Sequence, residues 1–164
     1  MTTAPVSLRL SQSSLALPIL VGGATAGTFD LIAAFATYGL RSPYAIAGGL
    51  LGRSAIQGGA GTYILGVFLH YFIAFSAAAI YCLASRSLPF LVEHFFVCGL
   101  FFGIAIYLVM NLIVLPLCAL HVTGPYQYRA LVQGIFVHML IIGLPISLAL
   151  RQFSSSPPSA IPAR

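Results

Sequence analysis

Charge is nearly missing from the interior of this chain, and its placement constrains the fold more than any other feature. No charged residue lies between Arg53 and Arg86, between Glu93 and Arg129, or between Arg129 and Arg151, and between Arg9 and Arg41 the only one is Asp30. Crossing a hydrocarbon layer of about 30 Å takes ~20 apolar residues in a helix, and each of these runs is long enough. Backbone N–H and C=O groups find no water in lipid, so such runs satisfy themselves internally as helices. The short alternating segments of a membrane barrel are not present. Composition agrees: 60% of the 164 residues are hydrophobic and 5% are charged, where a soluble domain carries about 25% charged residues. The expected fold is an all-α four-helix transmembrane bundle surrounded by the lipid bilayer.

Punctuation divides the chain further. Residues 1–14 read as a polar, Ser/Thr-rich tail, and the transmembrane domain runs over 15–150. Helices are expected at about 15–40, 62–83, 91–120 and 129–150, with a disordered Ser/Pro-rich tail over 151–164. The apolar stretch after Arg9 continues to Leu40, too long for a signal-peptide core of about 7–15 residues, so it reads as a retained first helix. Ser42-Pro43 resembles an N-cap followed by proline at the first helical position. The segment 43–57 holds Gly48, Gly49, Gly52 and Arg53 and is too short to span, which marks it as an interfacial or re-entrant helix. Pro116 is placed to kink the end of the third span.

The net charge of +5 comes with seven basic residues, all arginine. They sit at helix ends rather than in a basic stripe, so nucleic acid is not an expected partner. Arg9, Arg86, Arg151 and Arg164 fall on the side of the termini, and Arg41, Arg53 and Arg129 on the other. The positive-inside rule then favours cytoplasmic termini by four to three. Cys82, Cys98 and Cys118 fit no zinc spacing and read as small packing residues. There is no phosphate loop, nucleophile elbow or zinc-protease motif, so catalysis is not the expected role.

Small residues recur in a pattern. The spans contain, in order, Gly23-x-x-x-Gly27, Gly66-x-x-x-His70, Gly99-x-x-x-Gly103 and Gly134-x-x-x-His138. Glycines at this spacing let helix backbones approach closely in lipid. The alternation suggests two hairpins related as parallel repeats.

Each span also carries one strongly polar residue near its middle: Asp30, His70, Asn111 and His138. Counted from Arg41, Thr62, His121 and Arg129, they lie eleven, eight, ten and nine residues from the non-terminal face. At 1.5 Å per residue all four sit about 12–17 Å deep, near the midplane. An aspartate there costs roughly 2.5–3.5 kcal/mol, so the four should face inward. An Asp30–His70 or Asp30–His138 pair is the simplest arrangement, with Asn111 closing the network. Three readings stay open. The layer is a binding or translocation site for an ion, a proton or a small polar ligand. Alternatively it is polar glue between helices in an accessory or structural subunit, working as a homo-oligomer or within a larger membrane complex. More distantly, His70 and His138 at one depth hold a haem or a metal.

The strings Ala-Gly-Thr-Phe-Asp (26–30), Gly-Leu-Leu-Gly-Arg (49–53), Leu-His-Tyr-Phe-Ile-Ala (69–74), Tyr-Leu-Val-Met-Asn-Leu-Ile-Val-Leu-Pro-Leu (107–117) and His138 with Gly-Leu-Pro-Ile (143–146) resemble a family of small uncharacterised bacterial four-helix integral membrane proteins. The resemblance covers about residues 20–150. It implies a bacterial inner-membrane location and supplies no mechanism.

Overall fold

A computed structural model describes residues 15–122 and 127–154. Residues 1–14, on which the polar tail was expected, 123–126 and 155–164, most of the expected C-terminal tail, lie outside the described residues. Among those described, all regular structure is helical, and four helices are long and apolar enough to cross a membrane. The chain is a membrane protein built as a four-helix bundle.

The first span, α1 (Ala16–Tyr38), holds Pro18 in its opening turn, where no helical N–H is lost. It ends at Gly39, whose φ of 82° takes the chain out of the helix. A short helix, α2 (Ser42–Leu51), follows directly. Ser42 does not cap it. Arg41 stands at the cap position, and the Ser42 hydroxyl instead donates to the carbonyls of Gly39 (2.6 Å) and Ala34 (3.2 Å), fastening α2 to the end of α1. Gly52, with φ 78°, closes α2, and one 3-10 turn, Arg53–Gln57, leads into the second span, α3 (Ala60–Ala84).

The third span does not begin at 91. A single turn, α4 (Phe90–Glu93), is broken from it at His94, whose ψ of 38° is not helical, and α5 covers Phe95–Leu117. Nor does it reach 120. Cys118 turns extended (ψ 164°), and residues 118–120 leave the helix axis to lie against α2, where the Ala119 N–H donates to the Gly49 carbonyl at 2.8 Å. The last span, α6 (Tyr128–Ser154), continues past Arg151.

Both α5 and α6 contain a π-helical turn, Met110–Val114 and Met139–Gly143. Each precedes a proline by two residues, Pro116 and Pro145. Proline offers no N–H, and its ring crowds the carbonyl four residues back. A widened turn gives that carbonyl room, so the helix continues through the proline.

Around the bundle the order is α3, α1, α6, α5. α1 packs on α3 and on α6, and α5 packs on α6. The ring is not closed by α3 against α5. These two meet at the terminal end, near the turn that joins them, where Tyr81 packs on Phe102 with ring centroids 4.8 Å apart and donates its hydroxyl to the Leu91 carbonyl at 3.0 Å. Toward the opposite end they separate, and α2 sits over the space between them, packed on α3 and on residues 118–120.

The close-packed core lies in the terminal half. Tyr81, Cys82, Ile146, Ser147 and Leu150 are essentially inaccessible, and Ala26, Ala77, Ala78 and Ile142 complete the cluster. At its lower edge the Arg151 guanidinium stacks over Phe95 at 4.5 Å. By contrast, neither Met110–Leu117 nor Tyr128–His138 contains a buried residue.

Candidate functional site: a cavity between α3 and α5

The glycines set how closely the helices approach. Gly23 lies against Phe75, and Gly27 against Tyr71 and Ala74, so the first pair seats α3 on α1. Gly99 meets Ser147 and the Gly143 carbonyl, and Gly103 meets the backbone of His138 and Met139, so the second pair seats α6 on α5. Gly134 receives the Tyr107 ring, whereas Gly66 receives not a span but α2: its Cα faces the Pro43 carbonyl so closely that no Cβ fits. Gly143 meets the Gly99 carbonyl almost as closely as Gly66 meets Pro43. Gly143 stands outside the four-residue glycine spacings and is not singled out by them.

Above the core, the gap between α3 and α5 forms a cavity of about 350 Å³. Its floor is the top of the packed cluster, at Ala77, Ile106 and Ile142. Its roof is α2, through Ala45, Ile46, Gly49 and Leu50, together with Cys118 and Leu120. Leu50 is 61% exposed, and Ile73 and Val114 are each 36% exposed. These three lining residues come from α2, α3 and α5 and form an apolar rim, so the cavity opens sideways toward lipid beneath the roof.

Three of the four polar residues expected near the midplane lie on the cavity wall: Asp30 from α1, His70 from α3 and His138 from α6. They are otherwise surrounded by aliphatic side chains, Met110 and Cys118. His70 is 8% exposed, and its Nε2 bonds the Gly27 carbonyl at 2.8 Å, tying α3 to α1. His138 Nδ1 bonds the Gly134 carbonyl of its own helix at 2.9 Å, with the ring set edge-on to Tyr107. Asn111 is not part of the lining; its Nδ2 donates to the Tyr107 carbonyl, four residues back, at 2.9 Å. Asp30 is half-buried, and among the described residues it has neither a hydrogen-bond nor an ion-pair partner. The Asp–His pair expected from depth is therefore not formed, because each imidazole is held by a backbone carbonyl instead. The arginine that follows α1 is committed elsewhere: Arg41 donates to the Ile56 carbonyl at 2.8 Å and lies over Tyr44.

The histidine bonds have a chemical consequence. A carbonyl only accepts, so His70 carries its hydrogen on Nε2 and His138 on Nδ1. In a neutral imidazole the second nitrogen is then an acceptor. With both imidazoles neutral, the polar residues of the cavity wall offer acceptors: the Asp30 carboxylate, His138 Nε2 and His70 Nδ1. With His70 Nε2 turned to Gly27, the two rings do not offer a matched pair of nitrogens to one haem iron. Among the described residues, no group of three or more His, Cys, Asp or Glu side chains comes together to hold a metal.

What the regular patterns did not mark is the roof. The short helix expected over 43–57 is present as α2, but its place over the cavity with residues 118–120 was signalled only by Gly66 and Gly48, where α2 nests on α3 and Leu120 nests on α2. The repeated spacing from Met110 to Pro116 and from Met139 to Pro145 is the signal for the two π turns that flank the site. Comparison of the chain with protein families, with curated proteins and with solved structures finds no match.

Proposed function

We propose that this membrane protein binds a small ligand at the bilayer midplane, in the cavity between α3 and α5, with Asp30, His70 and His138 as its polar contacts and Asn111 one step outside it. The observation that carries this reading is Asp30: a carboxylate on a largely apolar cavity wall with no hydrogen-bond or ion-pair partner among the described residues. Such a group is expensive in hydrocarbon, and a folded protein keeps one where something else completes it. The volume lies near the lower end of the range of small-molecule sites, about 300–1,000 Å³. The same site would serve translocation if the roof moves. The reading includes a bacterial inner membrane with both termini on the cytoplasmic side, testable with reporter fusions at each end.

Native mass spectrometry of the protein, extracted with its surrounding lipid, tests the binding reading. The wild type should retain a small-molecule mass that Ile106→Trp, filling the cavity from its floor, loses while still folding. A wild type as empty as the variant would overturn it. A second reading, polar packing in an accessory subunit, is favoured by the His70–Gly27 bond, which links two spans. It predicts that Asp30→Asn and His138→Ala weaken the bundle as much as His70→Ala does.

A further inference from the structure

Resting on the ligand-binding reading, we infer that the cavity takes a primary amine with a short apolar tail, drawn sideways from the lipid between α3 and α5. Three observations select this class. First, the polar wall is made of acceptors: the Asp30 carboxylate and, given their carbonyl bonds, one nitrogen each of His70 and His138. A primary ammonium presents three N–H donors and a charge that complements Asp30. An anion is repelled by the Asp30 carboxylate, and a neutral alcohol leaves its charge uncompensated. Second, the remainder of the wall is aliphatic, with no ring of oxygens. A hard inorganic cation needs about six oxygen ligands, and a single carboxylate does not replace its hydration shell. Third, Leu50, Ile73 and Val114 make the rim apolar and exposed, which suits an alkyl or aryl tail arriving from the bilayer. The 350 Å³ cavity holds roughly a dozen waters' worth of liquid volume at about 30 Å³ each. That matches an amine of about that many heavy atoms and is too small for a two-chain lipid.

Octylamine, octanol and octanoate share one tail and differ in the head. Their saturable binding is measured on phosphatidylcholine nanodiscs carrying the full chain, after subtraction of empty discs. Octylamine should bind roughly tenfold more tightly than octanol, with octanoate weaker still. Asp30→Asn should bring octylamine down to the octanol level measured on the same variant, and Asp30→Glu should keep the preference. An unchanged circular-dichroism unfolding transition shows that each variant is folded. Equal binding of octanol and octylamine, or a preference that survives Asp30→Asn, would overturn the amine while leaving the cavity as a ligand site. Absence of saturable binding by all three would overturn the ligand-binding reading as well. Loss of octylamine binding on changing the discs to phosphatidylethanolamine would overturn the free amine and assign the wall to a lipid headgroup.

Discussion

The two halves of this bundle are made from the same four helices and are built in opposite ways. In the terminal half, Tyr81, Cys82, Ile146, Ser147 and Leu150 are sealed from any probe, and small residues bring α5 and α6 to backbone contact at Gly99 and Gly143. In the other half, α5 and α6 contribute no buried residue beyond their π turns, α3 and α5 part, and a third element, α2, is needed to cover the gap. Lipid provides no hydrophobic drive for helices to associate, so they hold by close packing. The terminal half supplies that packing. The other half is thereby free to carry a cavity and a carboxylate that has no hydrogen-bond or ion-pair partner among the described residues.

The contrast can be broken most severely at the seam. Gly143→Val places a branched side chain against the Gly99 carbonyl, and neither backbone can retreat. Overpacking of this kind costs about 3 kcal/mol, and the variant should lose its folded fraction when unfolding in detergent is followed by circular dichroism. Slightly below this stands a matched pair of truncations. Leu150→Ala, in the sealed cluster, should destabilise by about 3 kcal/mol. Val114→Ala, on the exposed rim, should change stability by under about 0.5 kcal/mol. Equal losses in the two would erase the distinction between the halves.

Two smaller effects sharpen it. In Gly66→Ala the new methyl collides with the Pro43 carbonyl, and α2 should be displaced at a cost of about 2 kcal/mol, raising hydrogen exchange in α2 and at residues 118–120 but not in the core. In Asp30→Leu the lone carboxylate is removed from an apolar wall. Intramembrane charge is unfavourable, so the empty protein should gain about 1 kcal/mol in unfolding and lose binding, the exchange of function for stability expected at a site.

The spans were legible because a run length set by bilayer thickness marks them, and counting 1.5 Å per residue along them groups Asp30, His70 and His138, which line one cavity. The glycines at four-residue spacing were legible as candidates for close approach for the same reason. What they approach was not. Gly27 and Gly66 look alike in the sequence, yet one seats a span and the other seats α2. The partners of the polar residues were equally hidden. Matching depth puts Asp30 beside two histidines, but depth says nothing of rotation about the helix axis. Rotation sends His70 to the Gly27 carbonyl, His138 to Gly134, and Asn111 away from the cavity. The third span's early end at Leu117 escaped because apolarity continues through Leu120; the change there is geometric, an extended turn at Cys118 two residues past Pro116.

Xenon occupies apolar cavities without regard to head-group chemistry, so it reports the hollow half independently of any ligand. Crystals of the protein grown in lipid and pressurised with xenon should show anomalous peaks between α3 and α5, inside the rim of Leu50, Ile73 and Val114, and none among Tyr81, Ile146 and Leu150. Peaks absent from that space, with α3 closed against α5 along its whole length, would contradict the division of the bundle into a packed half and a hollow one.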